Sequence, residues 1–405
     1  MARQSHETGT ARPRVIAPGA TIGMLGGGQL GRMTALAARA MGYGVHVLDP
    51  DPECAAAAVS DRCIAARFDD AEAARELARH CDVVTLEIEQ IATSVIDAAR
   101  AYAPTRPGPH VVDIIQDRAR QKEWLEKNGF PIGAYRTVNS ETDVATALKA
   151  FGDAFVKSCR GGYDGRRQVR TTGASDTADV WRALGERPAV AEEALQLAGE
   201  LSVMAARAPS GKMKVFPVAL NHHERQILAW SVMPAPLDAA ILARAMEIGC
   251  GIAERMDVAG LIAVELFLTT SGDLVVNELA PRPHNSFHAS ERACVTSQFE
   301  QLVRAICDLP LGDAGIVRPA AIVNLFGDLW HEGRSPDFSL ALDDPAVRLH
   351  LYGKRGTRPG RKMGHLSAVG GSALDALAAV RAAGERIGAV TEPLPDTLSA
   401  FGAPA

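Results

Sequence analysis

Thr21-Ile-Gly-Met-Leu-Gly-Gly-Gly-Gln-Leu-Gly-Arg-Met33 runs from an apolar segment through a glycine-rich turn into a helical pattern. Residues 22–25 read as a strand, 30–41 as a helix and 45–48 as a second strand. Residues 71–79 then read as a helix and 83–87 as a third strand. Strands alternating with helices predict parallel pairing and an α/β class. Gly26, Gly28 and Gly31 match G-x-G-x-x-G, and Asp49 closes the next strand at the distance of a dinucleotide site. Read alone, this motif suggests a nicotinamide-dependent dehydrogenase. What the glycines themselves secure is close backbone approach at a helix N-terminus, where a phosphate or a carboxylate is favoured.

At 405 residues the chain is too long for one ordinary core, so two or three domains are expected. Ala103-Pro-Thr-Arg-Pro-Gly-Pro109, with three prolines and a glycine, suits a boundary. A second unit starts near Asp117, where a helix stops at Gly129 and Pro131. Ser140 and Asp143 form a capping-box variant that starts another helix. From about Glu200 the pattern turns antiparallel, and from about Ala373 the chain is alanine-rich helix followed by a polar tail.

A net charge of −5 argues against a general nucleic-acid binder. No run is apolar enough to span a membrane, and the first twenty residues lack the apolar core of a secretory signal. The seven scattered cysteines contain no C-x-x-C pair, so neither zinc site nor disulfide framework is indicated and a reducing cytoplasm fits.

Four further motifs carry chemistry. Lys157 ends a short strand and precedes Gly161-Gly-Tyr-Asp-Gly165, so a lysine and a glycine loop could together hold nucleotide phosphates; an ordinary exposed turn is the alternative. Glu265 and Glu278 interrupt two apolar runs that flank Thr269-Thr-Ser-Gly-Asp273, and counting back from this turn puts them nearly opposite. Opposed like charges are unfavourable across a strand pair, and a divalent cation held by both would reverse that sign. Ala280-Pro-Arg-Pro-His-Asn-Ser286 concentrates guanidinium, imidazole, amide and hydroxyl groups directly after the second acid. Lys354, Arg355, Arg358, Arg361 and Lys362 lie in a segment punctuated by glycines and a proline, a shaped loop suited to a small phosphate.

Together these strings resemble the ATP-grasp enzymes, specifically the N5-carboxyaminoimidazole ribonucleotide synthase family. The matching segments are 18–33, 161–165, Gly199-Glu-Leu-Ser202, Asn277-Glu-Leu-Ala-Pro-Arg-Pro-His-Asn-Ser286, Ser297-Gln-Phe-Glu300 and Pro359-Gly-Arg-Lys-Met-Gly-His365, in the family's order. The resemblance implies an ATP-grasp fold of α/β class: a flexible leader (1–18), an N-terminal Rossmann-like domain (19–116), a lid (117–199), and an ATP-grasp core with a mixed C-terminal substrate region (200–395).

It also implies site roles. Arg118, Lys157, Gly162, Tyr163, Asp164, Gly165, Arg166, Arg167 and Gln168 would face the ATP phosphates. Glu192, Glu193, Ala194 and Leu195 would face adenine, and Glu200 the ribose. His223 and Asn277 would be further nucleotide contacts, and Glu265 and Glu278 the Mg²⁺ ligands. Gln29, Leu30 and Glu87 would line the ribonucleotide pocket, with Arg282, Lys354, Arg361 and Lys362 at its phosphate. Arg282, Lys157, Asp164, His284 and Asn285 would act on the reacting groups.

The implied reaction joins bicarbonate to aminoimidazole ribonucleotide at the expense of ATP, in a cytoplasmic homodimer. Two positions depart from the family pattern: Arg167 and Phe287 stand where glycine is usual, which bears on lid flexibility and pocket shape. Another ATP-grasp ligase, such as a formate-dependent ribonucleotide transformylase, and a non-catalytic nucleotide-binding protein remain alternatives.

Overall fold

The computed structural model describes residues 15–161 and 167–402. Four parallel strands near the N-terminus stand in the order Arg62–Ala65, Gly44–Asp49, Thr21–Leu25, Val83–Leu86. In their register Leu25 pairs with both Leu48 and Leu86, all three essentially buried. The residues that follow them, Gly26, Asp49 and Glu87, therefore meet at one edge of the sheet.

That meeting corrects the dinucleotide reading. The N–H of Gly27 donates to Asp49 Oδ2 (2.8 Å), and those of Gly28 and Gly31 donate to the two oxygens of Glu87 (2.8 and 3.2 Å). The acceptor at this helix N-terminus is the protein's own carboxyl group. A Cβ at Gly28 would lie 2.6 Å from Glu87 Oε1, so glycine is required for close approach to that side chain.

A second sheet is antiparallel, ordered Tyr135–Val138, Ala189–Glu193, Ala154–Ser158, Gln168–Thr171. Helices Glu141–Phe151 and Thr177–Ala183 cover it over a small core that includes Val144, Val156 and Ala191. The expected capping box at Ser140 is half present. Ser140 Oγ accepts from Asp143 N, but the Asp143 carboxylate takes the N–H of Asn139, one residue early.

The third sheet has nine strands and carries the main core. Its path runs Leu274–Ala280, Gly260–Thr269, Leu197–Arg207, Ala219–Glu224, Ile227–Met233, Ala320–Phe326, Lys362–Val369, Val347–Leu351, with Met213–Val215 beside Leu197–Arg207. The C-terminal strands thus extend the same sheet, and the basic loop 352–361 joins its last two members.

Two terminal expectations change. Within the expected leader, Ile16 is held by its N–H to Cys307 O (2.9 Å) and by its carbonyl, which accepts from Tyr43 Oη (2.7 Å). The C-terminal segment expected as a polar tail forms a 3₁₀ helix, Asp396–Phe401, which buries Leu398 and donates from Thr397 Oγ1 to Ala198 O.

The glycine turn makes one prediction about pH. Burial pushes Glu87 up to about 7, outweighing the N–H donors and the nearby Arg282 that favour its ionised form. The folded state therefore holds the proton more tightly than the unfolded chain. The stability this group contributes is complete below the ordinary 4.5 and is lost as pH rises through about 7. The melting-temperature advantage of wild type over Glu87→Gln should accordingly narrow between pH 5 and pH 8. An advantage that widens over that range contradicts the assignment.

Candidate functional site

The three sheets border one cleft of about 710 Å³. Its floor includes the hairpin Gly260–Thr269/Leu274–Ala280, in which Glu265 is the register partner of Glu278. This opposition depends on a β-bulge. From the turn, Leu268, Phe267 and Leu266 pair with Leu274, Val275 and Val276, a register that would next set Glu265 against Asn277. The shift makes Asn277 the extra residue and brings the two acids face to face, the kind of local re-aiming for which bulges are used near active sites. Burial pushes Glu265 up to about 7, opposed by His223 and reinforced by Glu278 and Glu200.

Basic side chains surround this pair. Arg118 Nη1 lies 3.1 Å from Glu278 Oε2. His284 Nε2 lies 3.3 Å from Glu265 Oε1, while its Nδ1 is 2.8 Å from Ser286 Oγ. Burial, Arg282 and Lys362 hold His284 well below the ordinary imidazole range, so it is neutral. His223 Nδ1 is 2.9 Å from Glu200 Oε2; burial pulls this imidazole down, but Glu200 prevails and raises it.

On the lid side Glu192, expected on the adenine side, lines the cleft and pairs with two lysines. Its oxygens lie 2.9 Å from Lys122 Nζ and 3.1 Å from Lys157 Nζ. Burial would raise its pKa, yet the two lysines bring it down to about 2. Glu192 is therefore the counter-ion that keeps two buried ammonium groups in one place. Lys122 was missed in the sequence, since a lysine within a helix ordinarily reads as a solvated face. Lys157 Nζ also lies 3.4 Å from Asn277 Oδ1, which links the lid to the bulge.

The opposite end of the cleft collects the second group of residues. Arg282 Nε sits 2.8 Å from Glu89 Oε1, an acid that sequence reading did not single out. Asn285 is 6% exposed, and neither its amide oxygen nor its amide nitrogen has a hydrogen-bond partner among the described residues. Lys354 Nζ donates to Gln29 Oε1 and to Lys362 O (2.9 Å), tying the basic loop to the glycine turn. Arg361 Nη1 donates to the carbonyls of Arg355 and Gly356 and so braces its own loop. Arg355 pairs with Glu53 across the same gap.

Gln29, Leu30, Glu87, Gln168, Glu193, Leu195, Glu200, His223 and Lys362 also line the cleft with the residues already described. Ala194 does not; its N–H is bonded to Asp153 O. Gly162, Tyr163, Asp164, Gly165 and Arg166 lie outside the described residues. Arg167 has φ +57°, the left-handed conformation a glycine adopts without strain, and it is not among the lining residues. Phe287, expected to affect pocket shape, instead turns into the core against Phe216 (ring centroids 6.0 Å apart).

Three family models match the chain in sequence: the ribonucleotide synthetase preATP-grasp domain over 19–116, the ATP-grasp domain over 123–299, and the phosphoribosylaminoimidazole carboxylase C-terminal domain over 320–379. The N5-carboxyaminoimidazole ribonucleotide synthase of Bacillus subtilis is 37% identical over 87% of this chain and 92% of its own length. That of Brucella melitensis is 39% identical over 87% and 97%. A crystal structure of an N5-carboxyaminoimidazole ribonucleotide synthetase in its ADP complex superposes with TM-score 0.85 at 37% identity, covering 92% of this chain and 98% of that one. The Aspergillus clavatus enzyme in complex with ADP and 5-aminoimidazole ribonucleotide superposes with TM-score 0.82 at 30% identity, covering 91% and 98%. With both halves of the cleft and all three domain models accounted for along its length, the chain belongs to the N5-carboxyaminoimidazole ribonucleotide synthase family of ATP-grasp ligases.

Proposed function

We propose that the chain carboxylates 5-aminoimidazole ribonucleotide with bicarbonate, converting ATP to ADP and phosphate and yielding N5-carboxyaminoimidazole ribonucleotide in purine synthesis. The observation that carries this reading is the confluence, in one cleft, of the buried Lys122–Glu192–Lys157 group and the carboxylate pair with the polar run 282–285 and the basic loop. The A. clavatus relative, crystallised with ADP and 5-aminoimidazole ribonucleotide, supports a cleft that holds both molecules.

Bicarbonate is a poor electrophile and must be activated. One of its oxygens bonds to the γ-phosphorus of ATP as the bond to the bridging oxygen breaks, giving carboxyphosphate and ADP. The ribonucleotide amine then bonds to the carboxyl carbon, the carbon–oxygen bond to phosphate breaks, and the amine gives up a proton. In both steps charge gathers on oxygens, so fixed cations and donors are the expected catalysts.

The residues are suited to those tasks. Lys157, at the junction of lid and bulge, and Arg118 present positive charge to phosphate oxygens. Arg282, held by Glu89, keeps a permanent cation beside Asn285, whose unpartnered amide can both donate to and accept from a small oxyanion. His284, neutral and packed against Glu265, adds a polar contact without further charge. The opposed carboxylates of Glu265 and Glu278 fit Mg²⁺, because burial and mutual repulsion leave them a poor pair without a cation. When bound, that ion would neutralise charge on the phosphate oxygens. The lid sheet would exclude water from carboxyphosphate. A cytoplasmic homodimer, as the family resemblance implies, is part of the same reading, and sedimentation of the purified enzyme reads its assembly.

ADP release tests the reaction directly. It should require bicarbonate and aminoimidazole ribonucleotide together, and stay at background with formate plus glycinamide ribonucleotide or with no acceptor. Release with the formate pair favours a transformylase, and tight ATP binding without any turnover favours a non-catalytic protein. At the far end of the cleft, Lys354→Ala and Arg361→Ala should each weaken ribonucleotide binding by about 1.5–3 kcal/mol, the range for charged hydrogen bonds, and leave ATP binding nearly unchanged. Calorimetry in which ATP affinity falls instead exchanges the roles of the two ends.

A further inference from the structure

Outside the cleft, three imidazoles stack, two of them buried and the third, His350, partly exposed. The ring of His365 lies 4.7 Å from that of His288 and 4.5 Å from that of His350. His350 and His365 are register partners on the strands Val347–Leu351 and Lys362–Val369. Glu291, on the short helix Ser290–Ala293, completes the group. Glu291, His350 and His365 each offer one ligand atom, and these atoms lie within 4.8 Å of one another.

The hydrogen bonding of this group is incomplete. His365 is fully buried; its Nδ1 is 2.8 Å from Tyr352 Oη, and its Nε2 has no hydrogen-bond partner among the described residues. Glu291 Oε2 is buried without a hydrogen bond among the described residues and lies 3.8 Å from His350 Nδ1. Burial holds His365 well below the usual imidazole range and lowers His350, and it pushes Glu291 up to about 7. Neutral imidazoles are the form that binds metals.

We infer that Glu291, His350 and His365 bind one divalent transition-metal ion, of the Zn²⁺ class, at a structural site distinct from the nucleotide cleft. Two imidazoles and a carboxylate suit zinc, whereas Mg²⁺ prefers oxygen ligands throughout. Ligand atoms around tetrahedral zinc are about 3.3 Å apart, given bonds of about 2.0–2.1 Å, so the three groups must draw together, and the His350 and His365 rings, stacked 7° from parallel, must turn so that their in-plane lone pairs converge. Tyr352 supplies the contact to the second ring nitrogen that metal-bound histidines ordinarily have. The charges of Arg348 and Arg292 oppose a cation here, and Glu291 offsets one of them. The ion would tie the last two strands of the large sheet to the helix Ser290–Ala293. Tyr352 then connects it to the loop that carries Lys354.

The test uses full-length protein stripped with a chelator, freed of it, exposed to Zn²⁺ alone and passed through a desalting column before elemental analysis. Wild type and Glu265→Gln should each retain one equivalent, and Co²⁺ in place of Zn²⁺ should give wild type the intense visible bands of a tetrahedral site. Glu291→Gln and His350→Ala, both at partly exposed side chains, should bind Zn²⁺ more than about tenfold more weakly. Failure of wild type to retain an ion, retention unchanged in both variants, or loss specific to Glu265→Gln each overturns the inference.

Discussion

Glu265 facing Glu278 across two strands is the constraint around which the rest of the cleft is organised. Directly opposed like charges destabilise a strand pair, and here one of them is also buried. The bulge at Asn277 creates this opposition, where a regular ladder would have avoided it. Arg118, His223 and His284 stand against the pair, and Asn277 Nδ2 lies 3.4 Å from Glu265 Oε2. The arrangement sacrifices local stability for a concentrated negative site within reach of Lys157.

A second consequence follows from the pairing of the cleft's cations. Lys122 and Lys157 share Glu192, Arg282 holds Glu89, and Arg118 holds Glu278. Removing one member of a buried pair such as Lys122–Glu192 costs roughly 3–5 kcal/mol, because the other charge is left uncompensated. The acids thus keep the cations in position, and an incoming phosphate meets a preorganised field. Glu192 serves this purpose most clearly, since two lysines bring its carboxyl down to about 2 despite its burial.

The sequence discloses what depends on local pattern. The alternation after Thr21 announced the parallel sheet, and the apolar runs around Thr269–Asp273 announced the hairpin and its two acids. It hides what depends on distant partners. The glycine turn read as a phosphate site because nothing nearby reveals that Glu87, 59 residues after Gly28, would fill it. The bulge at Asn277 leaves no mark in the alternation, since one extra residue is indistinguishable from a change of face. Lys122 and Glu89 looked like ordinary surface charges, and Phe287 became informative only once Phe216 was seen beside it. Leu398 likewise gave no sign that the C-terminal segment returns to the core.

Calorimetry of ATP binding with and without Mg²⁺, in wild type and in Glu278→Gln, tests the central claim most directly. If the opposed carboxylates exist to hold a cation on the nucleotide, Mg²⁺ should tighten ATP binding to wild type by more than about tenfold, or about 1.4 kcal/mol. In Glu278→Gln most of that gain should vanish, while metal-free ATP binding is kept or improved by removal of a negative charge. A folded Glu278→Gln protein that shows the same gain from Mg²⁺ as wild type would contradict the account.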